Sequence, residues 1–123
     1  MMKKDFLGHP WHDAEILGIE IDRRMPGDND VIDIAVRWPD GKEGAVQFSN
    51  CFGATLQMNF GVCATESIFS VAYVEDREDV FEVRRRWEAL GVDMADVVCF
   101  EIETNSTGSN IRVYARDCVV RVL

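Results

Sequence analysis

His9-Pro10-Trp11-His12-Asp13-Ala14-Glu15 runs directly into Ile16-Leu17-Gly18-Ile19-Glu20-Ile21-Asp22, and the reading of these fourteen residues decides the fold. The first seven hold both histidines of the chain, a tryptophan and two carboxylates, and an alternating strand follows at once. With the chain extended from Asp13 onward, Asp13, Glu15, Leu17, Ile19 and Ile21 share one face, because successive side chains of a strand point to opposite sides. That face is acidic at its start and apolar after it, so its polar end falls where a core meets solvent.

Outward from this strand, expected over Ala14 to Arg23, the chain alternates between strand patterns and turn signals. Met25-Pro26-Gly27-Asp28-Asn29-Asp30 is a loop. Val31 to Trp38 is the cleanest period-two segment, with Ile32, Ile34, Val36 and Trp38 on one face. Pro39-Asp40-Gly41-Lys42 turns it into a hairpin with Glu43 to Ser49, which sends Val46 and Phe48 to the same core as Trp38. Asn50 to Ala64 reads as a further strand with a bulge or bend at Gly61, although Ala54 to Met58 would also suit a short helix. Glu66 to Val74 is a strand with Phe69, Val71 and Tyr73 on one face and Ile68, Ala72 and Val74 on the other.

One main helix is expected near residues 77–90. Asp76 caps it, Glu78 and Asp79 favour its positive end, Val80, Val83, Trp87 and Leu90 recur at helical spacing, and Gly91 ends it. Three successive arginines, Arg84 to Arg86, project around most of a helical turn and form no phosphate patch. Val97 to Thr104 puts Val98, Phe100 and Ile102 inward and Cys99, Glu101 and Glu103 outward. Asn105 to Ser109 is a hairpin loop, and Asn110 to Arg116 returns with Arg112 opposite or diagonal to Glu101 and Glu103. Cys118 to Leu123 is a last short strand. The sum is a single α+β domain over residues 1–123: a mostly antiparallel sheet of about seven strands, curved or an open sandwich, with one main helix.

Composition limits the function classes. The chain is 47% hydrophobic and 28% charged, that of a folded globular domain. Its opening Met1-Met2-Lys3-Lys4-Asp5 lacks the apolar run of a signal peptide and nothing approaches a membrane span, so the expected location is cytoplasmic, without membrane contact. Cys51, Cys63, Cys99 and Cys118 are scattered among apolar neighbours and read as reduced thiols. The net charge of −9 divides as −4 over residues 1–40, −5 over 41–83 and 0 over 84–123. That field repels phosphates, which argues against direct nucleic-acid binding and favours a basic protein partner. The outward acids Glu20, Asp22, Asp33, Glu75 and Glu78 are the candidate partner-binding residues.

The alternative site is Trp11, His12, Asp13 and Glu15, residue types that a small ligand or a metal would use. In an extended chain His9 and His12 point to opposite faces about 10 Å apart. A turn with Pro10 in its second position brings their Cα atoms within about 7 Å. Further ligands would still have to come from elsewhere, so no metal and no cofactor are expected. There is no Gly-x-Ser-x-Gly elbow, P-loop or dinucleotide fingerprint. The reading preferred from the sequence is structural: His12 and Asp13 hold the entry of the first strand beside the core, at a cost of about 1 to 3 kcal/mol when either is truncated.

The Trp11-His12-Asp13-Ala14-Glu15 string leading into a hydrophobic strand, the helix carrying Trp87-Glu88 and the closing strands resemble small bacterial immunity proteins of polymorphic-toxin systems. Related uncharacterised bacterial families open in a similar way. The resemblance covers most of the chain and implies a non-catalytic cytoplasmic protein that binds and neutralises a cognate toxin, here a basic one. A small-ligand or metal-dependent enzyme at Trp11 to Glu15 is the reading from another class. A homodimer through the lightly charged edge at Cys118 to Leu123 is a third.

Overall fold

A computed structural model describes residues 2–122. In chain order the elements are α1 (Met2–Leu7), β1 (Glu15–Asp22), β2 (Val31–Arg37), β3 (Glu43–Gln57), β4 (Glu66–Val74), α2 (Glu78–Glu88), β5 (Val98–Thr104) and β6 (Asn110–Val122). All strand pairings are antiparallel, and the strands close into a barrel in the order β1-β2-β3-β6-β5-β4.

The sheet-dominated α+β class therefore holds, with two corrections. The described strands number six instead of about seven, and the sheet is closed, neither a curved sheet nor an open sandwich. The extra strands vanish because two chain segments are continuous. Asn50, at φ 52°, and a register shift between Cys51 and Gly53 bend β3 without ending it. Asp117 stays in register with Ser49, so the expected strand from Cys118 is the second half of β6. Leu123, its last expected residue, lies outside the described residues. Long, bulged strands turn corners between two sheet halves, which is how a few strands close.

Bulges also redistribute faces. The register of β1 on β2 shifts between Ile16 and Gly18, which turns Leu17 outward and breaks the expected Asp13-to-Ile21 face. A shift between Ile68 and Ser70 likewise leaves Phe69 exposed while Ile68 is buried and Val71 and Tyr73 still pack on the core. Where no shift occurs the alternation holds: Ile32, Ile34, Val36 and Trp38 are all buried.

The core is aromatic at its centre. Phe6 of α1 sits 5.2 Å from Trp11, 5.1 Å from Phe100 and 6.4 Å from Phe48, measured between ring centroids, and Trp38 stands 5.0 Å from Trp11. Trp11 donates its indole N–H to the Phe6 carbonyl at 2.6 Å. Six residues cannot hold a helix alone; α1 exists because Phe6 is buried and because α1 packs on β4 and β6. At the other end of the Trp38 hairpin Gly44 is required for close approach, since a Cβ there would collide with the Arg121 carbonyl oxygen and the Trp38 indole nitrogen.

A second cluster joins α2 to the outside of the barrel, through Val80, Met94, Val97, Cys99 and Tyr114. It is why Cys99 and Glu101, expected to face solvent, are buried. The helix begins without a side-chain cap, so Asp76 does not cap it, and Leu90 is exposed beyond its end instead of lying on the apolar stripe. No helix among the described residues is long and apolar enough to cross a membrane.

Because Phe6 fills the centre of the barrel, Phe6→Ala should cost about 3 to 5 kcal/mol in chemical denaturation, the range for a fully buried phenylalanine. An unchanged midpoint would show that α1 is only a frayed terminus.

Candidate functional site

The Trp11-to-Glu15 stretch builds a turn, not a ligand cradle. Trp11 N–H donates to the His9 carbonyl and Ala14 N–H to the Trp11 carbonyl, with Asp13 at φ 70° as the third residue of the second turn. Positive φ there is the mark of a type II turn, and aspartate tolerates it better than most residues. Its effect is to aim the Asp13 N–H at the Ile68 carbonyl, 2.9 Å away.

The four residues of the alternative site therefore part company. Trp11 is buried in the core, while His12 and Asp13 are exposed. Glu15 pairs with Arg37 at 3.2 Å. His9 stacks on Trp38 at 5.5 Å, whereas the His12 ring lies against Phe69 and donates from Nδ1 to the Phe69 carbonyl at 2.9 Å. The two histidines lean on different parts of the barrel, and no cluster of three metal-ligating side chains exists among the described residues. The backbone of His12 and Asp13 thus lies beside the core, as expected, while their side chains are exposed.

A more crowded polar cluster lies between α2 and the barrel. Glu101 and Arg112 face each other in register across β5 and β6, as the sequence suggested, and bond at 3.0 Å. Arg77 adds Glu101 at 2.7 Å and Asp79 at 2.6 Å, Tyr114 donates to Asp79 at 2.6 Å, and Asn110 donates to Glu101 at 2.9 Å. The hydrogen bond from Arg77 holds Asp79 well below the ordinary carboxylate range, against burial. Burial pushes Glu101 up, but its bonds from Arg77, Asn110 and Arg112 outweigh that and leave it lowered. Burial and the bond to Asp79 push the Tyr114 hydroxyl up. Two arginines offset two carboxylates, every member is bonded within the cluster, and the result fastens α2 to the sheet. Burial likewise pushes the Cys99 and Cys118 thiols up to about 12 and Cys51 to about 11; all four cysteines are free.

The candidate partner-binding acids fall into three places. Asp22 is held within the β1–β2 turn by Arg24, which lowers it to about 2. Glu75 and Glu78 lie at the entrance of α2, where Glu78 pairs with Arg85 at 2.8 Å. Glu20 and Asp33 come together: they are direct cross-strand partners on the outer face of β1 and β2.

Beside that pair the register produces a trough. Gly18, Ala35, Ala45 and Arg121 stand side by side across β1, β2, β3 and β6. The row on one side is Glu20, Asp33, Gln47 and Val119, and on the other Glu15, Arg37 and Glu43. Gly18 and the two alanines put almost no side chain between these rows, which opens a depression of about 520 Å³ lined by Gly18, Ile19, Glu20, Asp33, Ala35, Ala45 and Arg121. Two carboxylates line it, Glu20 and Asp33, while Glu15 and Glu43 stand in the row across the floor. Arg37 answers the latter pair at 3.2 and 3.7 Å, and Arg121 reaches Asp33 at 3.7 Å. Like charges directly opposite each other destabilise a sheet, an effect that Arg121 offsets in part at Asp33. Sequence reasoning found both acids but missed the floor, whose residues carry no chemical signal.

Compared with family models, curated proteins and solved structures, the chain matches none.

Two outcomes follow for stability. His12→Ala should cost under about 1 kcal/mol, since its bond is solvent-exposed, and Asp13→Gly should be tolerated because glycine adopts positive φ freely; a loss of several kcal/mol in thermal melts would contradict this geometry. Asp79 and Glu101 are depressed in the folded state, so their stabilisation is present above the ordinary values of 3.8 and 4.5 and is lost as pH falls below them. Asp79→Asn should therefore flatten the acid limb of a stability–pH profile; an unchanged limb would show the cluster to be uncoupled from folding.

Proposed function

We propose that the protein is a non-catalytic binding module for a basic protein surface, docked across the trough on the outer face of β1, β2 and β3. The observation that carries this reading is the like-charged pair Glu20–Asp33 beside a floor of Gly18, Ala35 and Ala45. The floor spans two strand spacings, about 10 Å, the length of some three residues of extended chain. A lysine or arginine lying there would be held by Glu20 and Asp33, with its stem over the alanines. The overall charge of −9 adds long-range steering toward a basic surface.

The resemblance of the Trp11-to-Glu15 string and the strand–helix–strand order to bacterial immunity proteins supports the finer reading that the partner is a toxin domain neutralised in the cytoplasm. In that role the acidic face would occupy a surface on which a nuclease-type toxin binds phosphate.

Co-expression with the product of the adjacent gene, followed by affinity measurement on the purified pair, tests this. The parent protein should form a complex that weakens as salt rises. The double variant Glu20→Gln, Asp33→Asn, which removes the charges without setting new like charges opposite each other, should lose about tenfold or more in affinity while melting close to the parent, since the Arg121–Asp33 pair it gives up is a surface one. Equal binding by parent and double variant would overturn the assignment of this face.

A further inference from the structure

The first half of β3 lies between two strands and the second half does not. Pairing with β2 stops at Ile32 opposite Phe48, while β3 continues to Gln57 with only β6 beside it. Gly53 to Gln57 thus have one bare edge, and Ala54, Thr55 and Gln57 are exposed along it. Proteins protect such edges with lysines, prolines or inward charges. Here the 22 residues from Gly44 to Thr65 contain no charged side chain and no proline, in a chain that is 28% charged.

The two ends of this edge are unlike and complementary. Where β2 and β3 diverge, a cavity of about 510 Å³ is lined by the apolar Ile21, Val31, Phe52 and Trp87, by Asn50 at the turn of β3, and by Arg23, Asp28 and Asp30 of the β1–β2 loop. At the other end the chain leaves β3 and presents Phe60 and Val62, 84% and 52% exposed. This loop is anchored, not loose: Asn59 donates its N–H to the Ser109 hydroxyl at 2.9 Å and its amide to the Thr107 carbonyl at 3.0 Å. A large apolar side chain is therefore held out in water on a fixed stem.

From this we infer that a second copy of the chain pairs with the first through this edge of β3, antiparallel about a two-fold axis at Thr55. In that register Thr55 faces Thr55 of the second copy, Gly53 faces Gln57, and Phe60 arrives opposite Asn50, at the mouth of the cavity. Each copy then offers one knob and one hole to the other, which is the self-complementarity a two-fold interface demands. Charge selects the same surface. Two chains of −9 repel one another, and the strip from Gly44 to Thr65 is where they approach without facing like charges. The bare backbone groups of Gly53 to Gln57 gain partners, as in other strand additions.

Sedimentation velocity on the full chain, from low micromolar to about 100 µM, is the test. The parent should dimerise in that range. Thr55→Lys and Thr55→Glu, which place like charges face to face, should each weaken the dimer at least about tenfold, and an equimolar mixture of the two should restore it as a heterodimer. Phe60→Ser, at an exposed position where folding is not at stake, should weaken it comparably; unchanged circular dichroism and melting confirm that the variants fold. A parent that stays monomeric at about 100 µM overturns the proposal. So does a dimer that all three variants leave intact, which would put the interface elsewhere.

Discussion

The barrel depends on its narrowest seam. β3 and β6 share twelve register pairs, yet β1 and β4 meet over only two, Glu15 with Ser67 and Ile16 with Glu66. Two further backbone bonds extend that seam, from Asp13 to the Ile68 carbonyl and from Ile68 to the Ala14 carbonyl at 2.7 Å. Both require the chain to arrive from Trp11 in the one direction that a positive φ at Asp13 permits. His12 then bonds the next carbonyl of β4, that of Phe69. Without these bonds the facing edges of β1 and β4 would leave buried backbone groups unpaired, at a cost that falls on the whole sheet. The dense polar string that first suggests a site is thus accounted for as the clasp of the barrel. Its backbone geometry, more than its side-chain chemistry, is what the fold uses.

What the sequence disclosed stops at the bulges. Between them, period-two alternation reports faces faithfully: Val31 to Trp38 has no register shift, and its four expected core residues are all buried. At a bulge one extra residue inverts the face of the residue beside it, while Ile19, Val71 and Tyr73 farther on keep theirs. Leu17 and Phe69 are the residues so inverted, each adjacent to a shift that glycine or serine permits but does not announce. The short helix α1 was illegible for another reason. Six residues carry no periodicity, and Phe6 is buried by tertiary contact with Trp11 and Phe100, partners that only the closed barrel supplies.

Sites show the same division between what local pattern encodes and what register creates. The Glu101–Arg112 pair was readable because a hairpin loop fixes which residues of β5 and β6 face one another. Arg77, Asp79 and Tyr114 join it only because α2 folds back over that face, which no spacing along the chain reveals. The trough is more deeply hidden still. Its shape comes from the small side chains at Gly18, Ala35 and Ala45, three residues that in sequence look like filler and become a floor only when three strands align them.

The two surfaces argued here share β3, and its bend at Asn50 keeps them from competing. Before the bend, β3 contributes Ala45 to the trough, so a ligand there would meet the flat of the sheet. After it, the strand has left β2 and offers its rim, the backbone groups of Gly53 to Gln57. A face and an edge of one strand point in perpendicular directions, so a chain added along the edge does not cover the face. Charge would sort the proposed occupants in the same way: Glu20 and Asp33 line the first surface and would favour a cation, while the second lies in a stretch without charged side chains, which would suit a copy of equal charge. A dimer built on the edge would carry two acidic troughs, and a partner with two basic segments suitably spaced would gain from binding both at once.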